Sequence, residues 1–196
     1  MNQRQIREVA VVVAHPDDET LWVGGTLLME RDWNCRILGL CRAGDSDRAP
    51  KFQKAIACFN GAGELRDCDD GPEQRPLPPA EMFRVIGRWA ASFSFDLVIT
   101  HGPKGEYTRH RRHEEVFRAV FDLWRTGTIV SKSLWLFAYE DGHGSYLPRA
   151  NRKRMFEKSW QIKTHGTRTR VRPSCLEAKS VKYDRIGTFQ TPSKSA

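Results

Sequence analysis

Apolar positions along this chain follow two alternating rhythms. Residues 9–14 (Val-Ala-Val-Val-Val-Ala) are a continuous, mostly β-branched run of strand length, the pattern of a parallel strand buried on both faces. Residues 36–41, 95–100 and 134–138 also read as strands. Between the runs the spacing becomes helical. It predicts a helix over 18–33, where Leu21, Gly24-Gly25 and Leu28 share a face and Asn34 is a C-cap. A second helix is expected over 49–62 (Phe52, Ile56, Phe59), ended by Gly61 and Gly63. A third spans 80–93 (Met82, Phe83, Ile86, Trp89), and a fourth starts near 109–112 with Val116, Phe117, Val120, Phe121 and Trp124 as its stripe. Residues 64–79, rich in Pro, Gly and Asp, read as a loop with one short strand near Leu65. Beyond residue 140 the pattern weakens, and 176–186 is a candidate final helix. The Gly24-Gly25 pair costs about 1 kcal/mol per residue inside a helix, so either close packing on the sheet or contact with a ligand has to offset it.

Strand–helix alternation points to an open, mostly parallel, Rossmann-like α/β sheet flanked by helices. No repeat or linker divides the chain, so residues 1–196 are expected to form a single domain, with a basic C-terminal segment from about residue 140. In such sheets ligands bind beyond the carboxyl ends of the strands. His15, the polar loop 44–48 and His101 all fall at such ends.

Composition narrows the classes. At 39% hydrophobic the chain can bury a core, and no apolar run approaches the roughly 20 residues of a bilayer-spanning helix, so no integral membrane segment is expected. There is no secretory pattern at the N-terminus. The five cysteines form no C-x-x-C pair, and Cys35, Cys41 and Cys58 are read as free, buried thiols, which points to the cytoplasm. The net charge of +8 is local: residues 149–173 hold nine Lys/Arg against the single acid Glu157, and the remainder is neutral. That segment could be a solvated flap or could face an anionic polymer, a membrane surface or an acidic substrate. The loop after the second strand lacks the glycine spacing of a dinucleotide site, which sets a nucleotide cofactor aside.

The candidate chemistry lies in two clusters. The first is Ala14-His15-Pro16-Asp17-Asp18-Glu19. Pro16 biases His15 toward extended backbone, so the strand ends there and three carboxylates enter the following turn. Acids at a helix start each contribute only about 0.3–1 kcal/mol, and the run alone could be just that. The second cluster, His110-Arg111-Arg112-His113, opens a later helix, with His113 on the inward face one turn before Val116 and Phe117. A histidine and a carboxylate three residues apart, with a distant histidine at a helix start, supply three ligands for a metal such as zinc, the number typical of catalytic sites. Two histidines and a carboxylate are equally the ligand set of non-haem Fe(II) oxygenases, although those favour β-rich folds.

With these residues assembled, the chain resembles the PIG-L/LmbE family of metal-dependent de-N-acetylases. The resemblance rests on Ala14-His15-Pro16-Asp17-Asp18-Glu19-Thr20-Leu21 with Gly24-Gly25-Thr26, and on Thr100-His101 through Gly105-Glu106-Tyr107 to His110-x-x-His113. It covers about the first 140 residues. It implies a Rossmann-like fold and removal of an acetyl or other acyl group from the nitrogen of an N-acetylglucosamine-type sugar or related conjugate. It further implies one Zn²⁺ (or another divalent ion) on His15, Asp18 and His113, with Asp17 as general base and His110 steadying the oxyanion. Arg48 and Asp70 would contact the sugar. The chain departs from the family at Arg111-Arg112, where Pro-Asp is common, and in one extra residue in the stretch Thr108-Arg109 ahead of His110. The basic segment would suit an acidic substrate moiety, and no specific nucleic acid is expected. The rival reading is a degenerate site on a protein that binds anionic ligands through 149–172.

Overall fold

The computed structural model describes residues 6–106 and 109–137. Among them the order is β1 (Arg7–Val13), α1 (Asp18–Trp22), α2 (Gly24–Met29), β2 (Trp33–Gly39), α3 (Arg48–Cys58), β3 (Gly61–Leu65), α4 (Pro79–Ala90), β4 (Phe95–Thr100), α5 (Arg111–Arg125) and β5 (Ser131–Leu136). The five strands form one sheet in the order β3-β2-β1-β4-β5, and every pairing is parallel. This is the expected Rossmann-like α/β architecture.

The apolar run of β1 is central because both its faces are covered. Val9, Val11 and Val13 pack with Trp22, Leu27, Phe52 and Ile56 from α1, α2 and α3. Ala10 and Val12 pack with Met82, Ile86, Val116 and Val120 from α4 and α5. The period-two alternation of a strand thus serves two helical layers at once, and nearly complete exclusion of water from residues 9–13 is the result.

Several elements differ from the expected ones. The helix expected over 18–33 is two short helices, broken at Val23, whose φ is −133°. The weak helix formers Gly24 and Gly25 and the β-branched Val23 and Thr26 remove the local preference for continuing. Trp33 and Asn34, read as helix end and cap, already belong to β2, where Trp33 is buried beside Arg7 of β1. Gly61 and Gly63 do not stop a helix; they lie within β3. A Cβ on Gly63 would come within 2.6 Å of Ile56 and 2.8 Å of Phe52, so the strand can run this close beneath α3 only without a side chain. Cys58 is exposed, whereas Cys35, Cys41 and Cys68 are buried free thiols. No described helix is long and apolar enough to cross a membrane. Residues 149–173, the candidate helix 176–186 and the end of the 134–138 strand run lie outside the described residues.

The strand order places the site. From β1 the chain moves outward to β2 and β3, then crosses back to β4 on the other side of β1. At this reversal the connections leaving β1 and β4 diverge and open a crevice at their carboxyl ends. His15 follows β1, His101 follows β4, and α5 begins beside them.

Candidate metal centre

The segment after β1 turns back on itself. Asp17 N–H and Asp18 N–H both donate to the carbonyl of His15, at 3.1 and 3.3 Å. The turn brings the Asp18 carboxylate under the start of the loop, where Oδ2 accepts the His15 N–H at 2.9 Å. The same oxygen lies 3.2 Å from His15 Nδ1, 3.4 Å from His113 Nε2 and 3.5 Å from His101 Nε2. Asp18 is buried, and burial alone would raise its pKa. The surrounding imidazoles, His101 first, outweigh that and hold it well below the ordinary value.

Three donor atoms converge: His15 Nδ1, Asp18 Oδ2 and His113 Nε2. Their separations are 3.2, 3.4 and 3.3 Å. A tetrahedral ion with metal–ligand bonds of about 2.0–2.1 Å spaces its ligands roughly 3.3–3.4 Å apart, so the triangle fits a metal of zinc's size. His15–His110–His113 and Asp18–His101–His113 also place donor atoms within 4.8 Å of one another, as do His15, Cys41 and Asp70.

Each histidine of the triangle is backed by a carboxylate on its other nitrogen. His15 Nε2 is 3.3 Å from Asp70 Oδ1, and His113 Nδ1 is 2.5 Å from Glu106 Oε2. Such partners fix the tautomer, leaving the inner nitrogens free as lone-pair donors. Glu106 holds a second ring as well, since its Oε1 is 3.0 Å from His101 Nδ1. Burial would raise Glu106, but His101 and His113 hold it near 2. His101 itself accepts the Ala14 N–H on Nε2 at 3.0 Å. Burial disfavours the charged ring, while Asp18 and Glu106 favour it and would raise its pKa to about 9. An N–H aimed at Nε2 requires a lone pair there, so we assign His101 as neutral and protonated on Nδ1.

The other expected site residues lie around this triangle. Asp17 is half exposed, with Oδ2 4.0 Å from Arg48 Nη1. Burial and the neighbouring Asp18 raise its pKa, and Arg48 opposes them. His110 is the N-cap residue of α5, so the different spacing before it has not moved it out of the cluster. Its ring lies edge-on to His15 at 4.9 Å and 4.5 Å from His113. Its Nδ1 is buried and has no hydrogen-bond partner among the described residues. Burial and the two neighbouring rings lower its pKa, which keeps it neutral. Asp70 faces inward. Oδ2 accepts from Arg42 Nε at 2.8 Å, and Oδ1 accepts from Gln74 at 2.9 Å beside His15. Against burial, these partners hold its pKa near 2. Arg42 itself has a left-handed φ of 69°.

Sequence reasoning gave no role to Glu106, Arg42 or Arg112. Glu106 could have been flagged as an acid between two histidines; the partners of the other two are set by tertiary contacts. Glu19 was read only as an acidic helix start, yet it is buried. Its Oε2 accepts the Asp17 N–H and its Oε1 the Thr20 hydroxyl. Burial, with Asp18 and Asp17 nearby, raises its pKa to about 7. In the metal-free protein the folded state therefore retains a proton that the unfolded chain, at about 4.5, has lost. Stability from this group is present below pH 4.5 and is lost as pH rises through about 7. Urea unfolding in chelator should show Glu19→Gln gaining on the wild type between pH 4 and 8, by up to roughly 3 kcal/mol. A pH-independent difference would show that Glu19 is already ionised.

No protein-family model matches the sequence, and a search of curated proteins finds no relative. Solved structures do share its fold. A teicoplanin deacetylase in a zinc-inhibited form superposes with a TM-score of 0.56 at 16% identity, over 79% of this chain and 83% of that one. An N,N'-diacetylchitobiose deacetylase from Pyrococcus horikoshii gives 0.55 at 13% identity, over 67% of this chain and 60% of its own length. A 4-carboxy-2-hydroxymuconate hydratase from Pseudomonas putida gives 0.50 at 16% identity, over 80% of this chain and 84% of that one. The chain therefore shares its α/β fold with two deacetylases and a hydratase, in keeping with the Rossmann-like fold that the resemblance of its two histidine motifs implies.

Proposed function

We propose that the protein is a metal-dependent amide hydrolase that removes an acetyl or other acyl group from the nitrogen of an N-acetylglucosamine-type conjugate. The observation that carries this reading is the triangle of His15 Nδ1, Asp18 Oδ2 and His113 Nε2, with sides of 3.2–3.4 Å, at the switch point of the sheet. These three residues would hold one divalent ion, and two imidazoles with a carboxylate suit zinc. A bound cation there supplies the positive charge that makes water more acidic and polarises an acyl oxygen.

The chain's own residues do the rest. Asp70 and Glu106 keep the two imidazoles turned toward the ion. Asp17, beside the triangle and reachable from solvent, takes the proton of the attacking water as the new C–O bond forms. Neutral His110 donates its N–H to the oxygen that gains charge on the acyl carbon. Asp17 then returns the proton to the nitrogen as the C–N bond breaks, releasing carboxylate and amine. Arg48, next to Asp17 and 44% exposed, would contact the sugar.

The basic run at residues 149–173 supports an acidic moiety on the substrate. A groove of ≈ 640 Å³ between α4 and α5 is lined by Leu77, Met82 and Phe83 with both Arg111 and Arg118 and the acids Glu114 and Glu115, and by none of the triangle residues. The fold is shared with a hydratase as well as with deacetylases, so water addition to an unsaturated acid is the second reading. One panel separates them. Metal-loaded protein should release free acetate and amine from N-acetylglucosamine conjugates, fastest from those with an anionic aglycone. Consumption of unsaturated dicarboxylates without acetate release would favour the hydratase reading, and inertness toward both would leave a binding protein.

A further inference from the structure

We infer that Arg112 is a positioning residue for the metal centre, acting through the loop that carries Asp70. Arg112 has no exposed surface, although it is the second residue of a helix whose first residue, Arg111, is exposed. Its Nε donates to the carbonyl of Asp69 at 2.7 Å and its Nη2 to that of Arg75 at 2.7 Å. Its Nη1 donates to Glu115 Oε2, one turn along α5, at 2.5 Å. The other oxygen of Glu115 accepts the Leu77 N–H at 3.2 Å. Two side chains of α5 therefore grip residues 69–77 at three backbone positions.

That stretch has no helix or strand of its own. Its near end is tied to the continuation of β2 by the Cys68 N–H donating to Leu40. Its far end rests on the Arg112–Glu115 grip. Between the two, Asp70 faces His15 Nε2 at 3.3 Å. The residue after Arg112 is His113, a member of the same triangle. One turn of α5 thus supplies one imidazole directly and, through residues 69–75, the carboxylate that orients the other.

The energetics favour a geometric role over a stabilising one. Removing a guanidinium from water costs several kcal/mol, offset here by charge-assisted bonds to a carboxylate and two carbonyls. Packing alone would be served as well by an apolar side chain of similar volume. What an apolar chain could not do is fix two carbonyls at the far end of the side chain, and so set where Asp70 sits.

The inference rests on His15 belonging to a metal site, and the test separates the two ideas. Dissociation constants for Zn²⁺ and Co²⁺ would be measured by chelator competition at 15 °C, with circular dichroism confirming the fold. Arg112→Met should weaken binding by about 10–100-fold, the range for loss of an outer-shell partner. Asp70→Asn should do the same, and the double variant should be little weaker than either, because both act through His15. Glu115→Gln, a milder change, should weaken binding several-fold, and Arg112→Lys should recover part of the loss. Wild-type affinity in folded Arg112→Met or in Glu115→Gln would overturn the inference, as would losses that simply add in the double variant. A wild-type protein that binds neither ion would overturn the metal-site reading and this inference with it.

Discussion

Asp18→Asn protein should fold and lose its divalent metal. The substitution keeps an oxygen to accept the His15 N–H, which Asp18→Ala would leave buried and unpaired at a cost of about 1–3 kcal/mol. It removes the one negative charge that three imidazoles surround. Two neutral nitrogens cannot replace that charge for a hard or borderline cation. Metal content after exhaustive dialysis should therefore fall from about one ion per chain to near zero, and amide hydrolysis with it. His113→Ala should behave alike, since it deletes a second corner and leaves the Glu106 carboxylate without one of its two imidazole partners. The alternative cluster of His15, His110 and His113 makes a different forecast, because it does not use Asp18. An Asp18→Asn protein with full metal content would move the site to those three histidines. His110→Ala, on the triangle reading, should retain the ion.

Much of this architecture could be read from local pattern, and the exceptions share a cause. The run Phe95–Thr100 is a strand with the expected bounds, because five apolar or β-branched residues out of six between turn signals leave few options. His113 faces inward as its distance from Val116 and Phe117 requires. The failures arise where one element's conformation depends on another's surface. Gly61 and Gly63 suit a helix end locally, but in β3 Gly63 is required by Phe52 and Ile56 of α3, and Gly61 by the Cys35 carbonyl of β2. The resemblance gives Asp70 a sugar contact, whereas in the fold it faces His15 from a long loop that no periodicity encodes. The Arg111-Arg112 pair looked like a loss of motif. In the fold its two residues part company, one at the rim of a groove and one sealed against the 69–75 backbone. Acidic and basic residues in loops carry their meaning in their partners, and a linear chain does not display those.

Asp17→Asn should leave the metal in place and reduce turnover by about 10²–10⁴-fold, the usual contribution of a positioned general base. Asp17 and Asp18 are adjacent, but the turn after β1 divides their tasks. Asp18 points into the protein among the imidazoles; Asp17 is half exposed and has Arg48 as its nearest cation, at 4.0 Å. Only the outer one can meet both a water and a leaving amine. Asparagine keeps the shape and can still accept a hydrogen bond, yet it cannot store a proton between the two half-steps. The loss should therefore fall on kcat, with KM and metal stoichiometry close to wild type. Arg48→Ala should show the complementary split, raising KM more than it lowers kcat, if its exposed guanidinium meets the sugar. Turnover at the wild-type rate in Asp17→Asn would remove Asp17 from the proton path and leave His110, whose lowered pKa keeps a neutral ring ready to accept, as the group that must do that work.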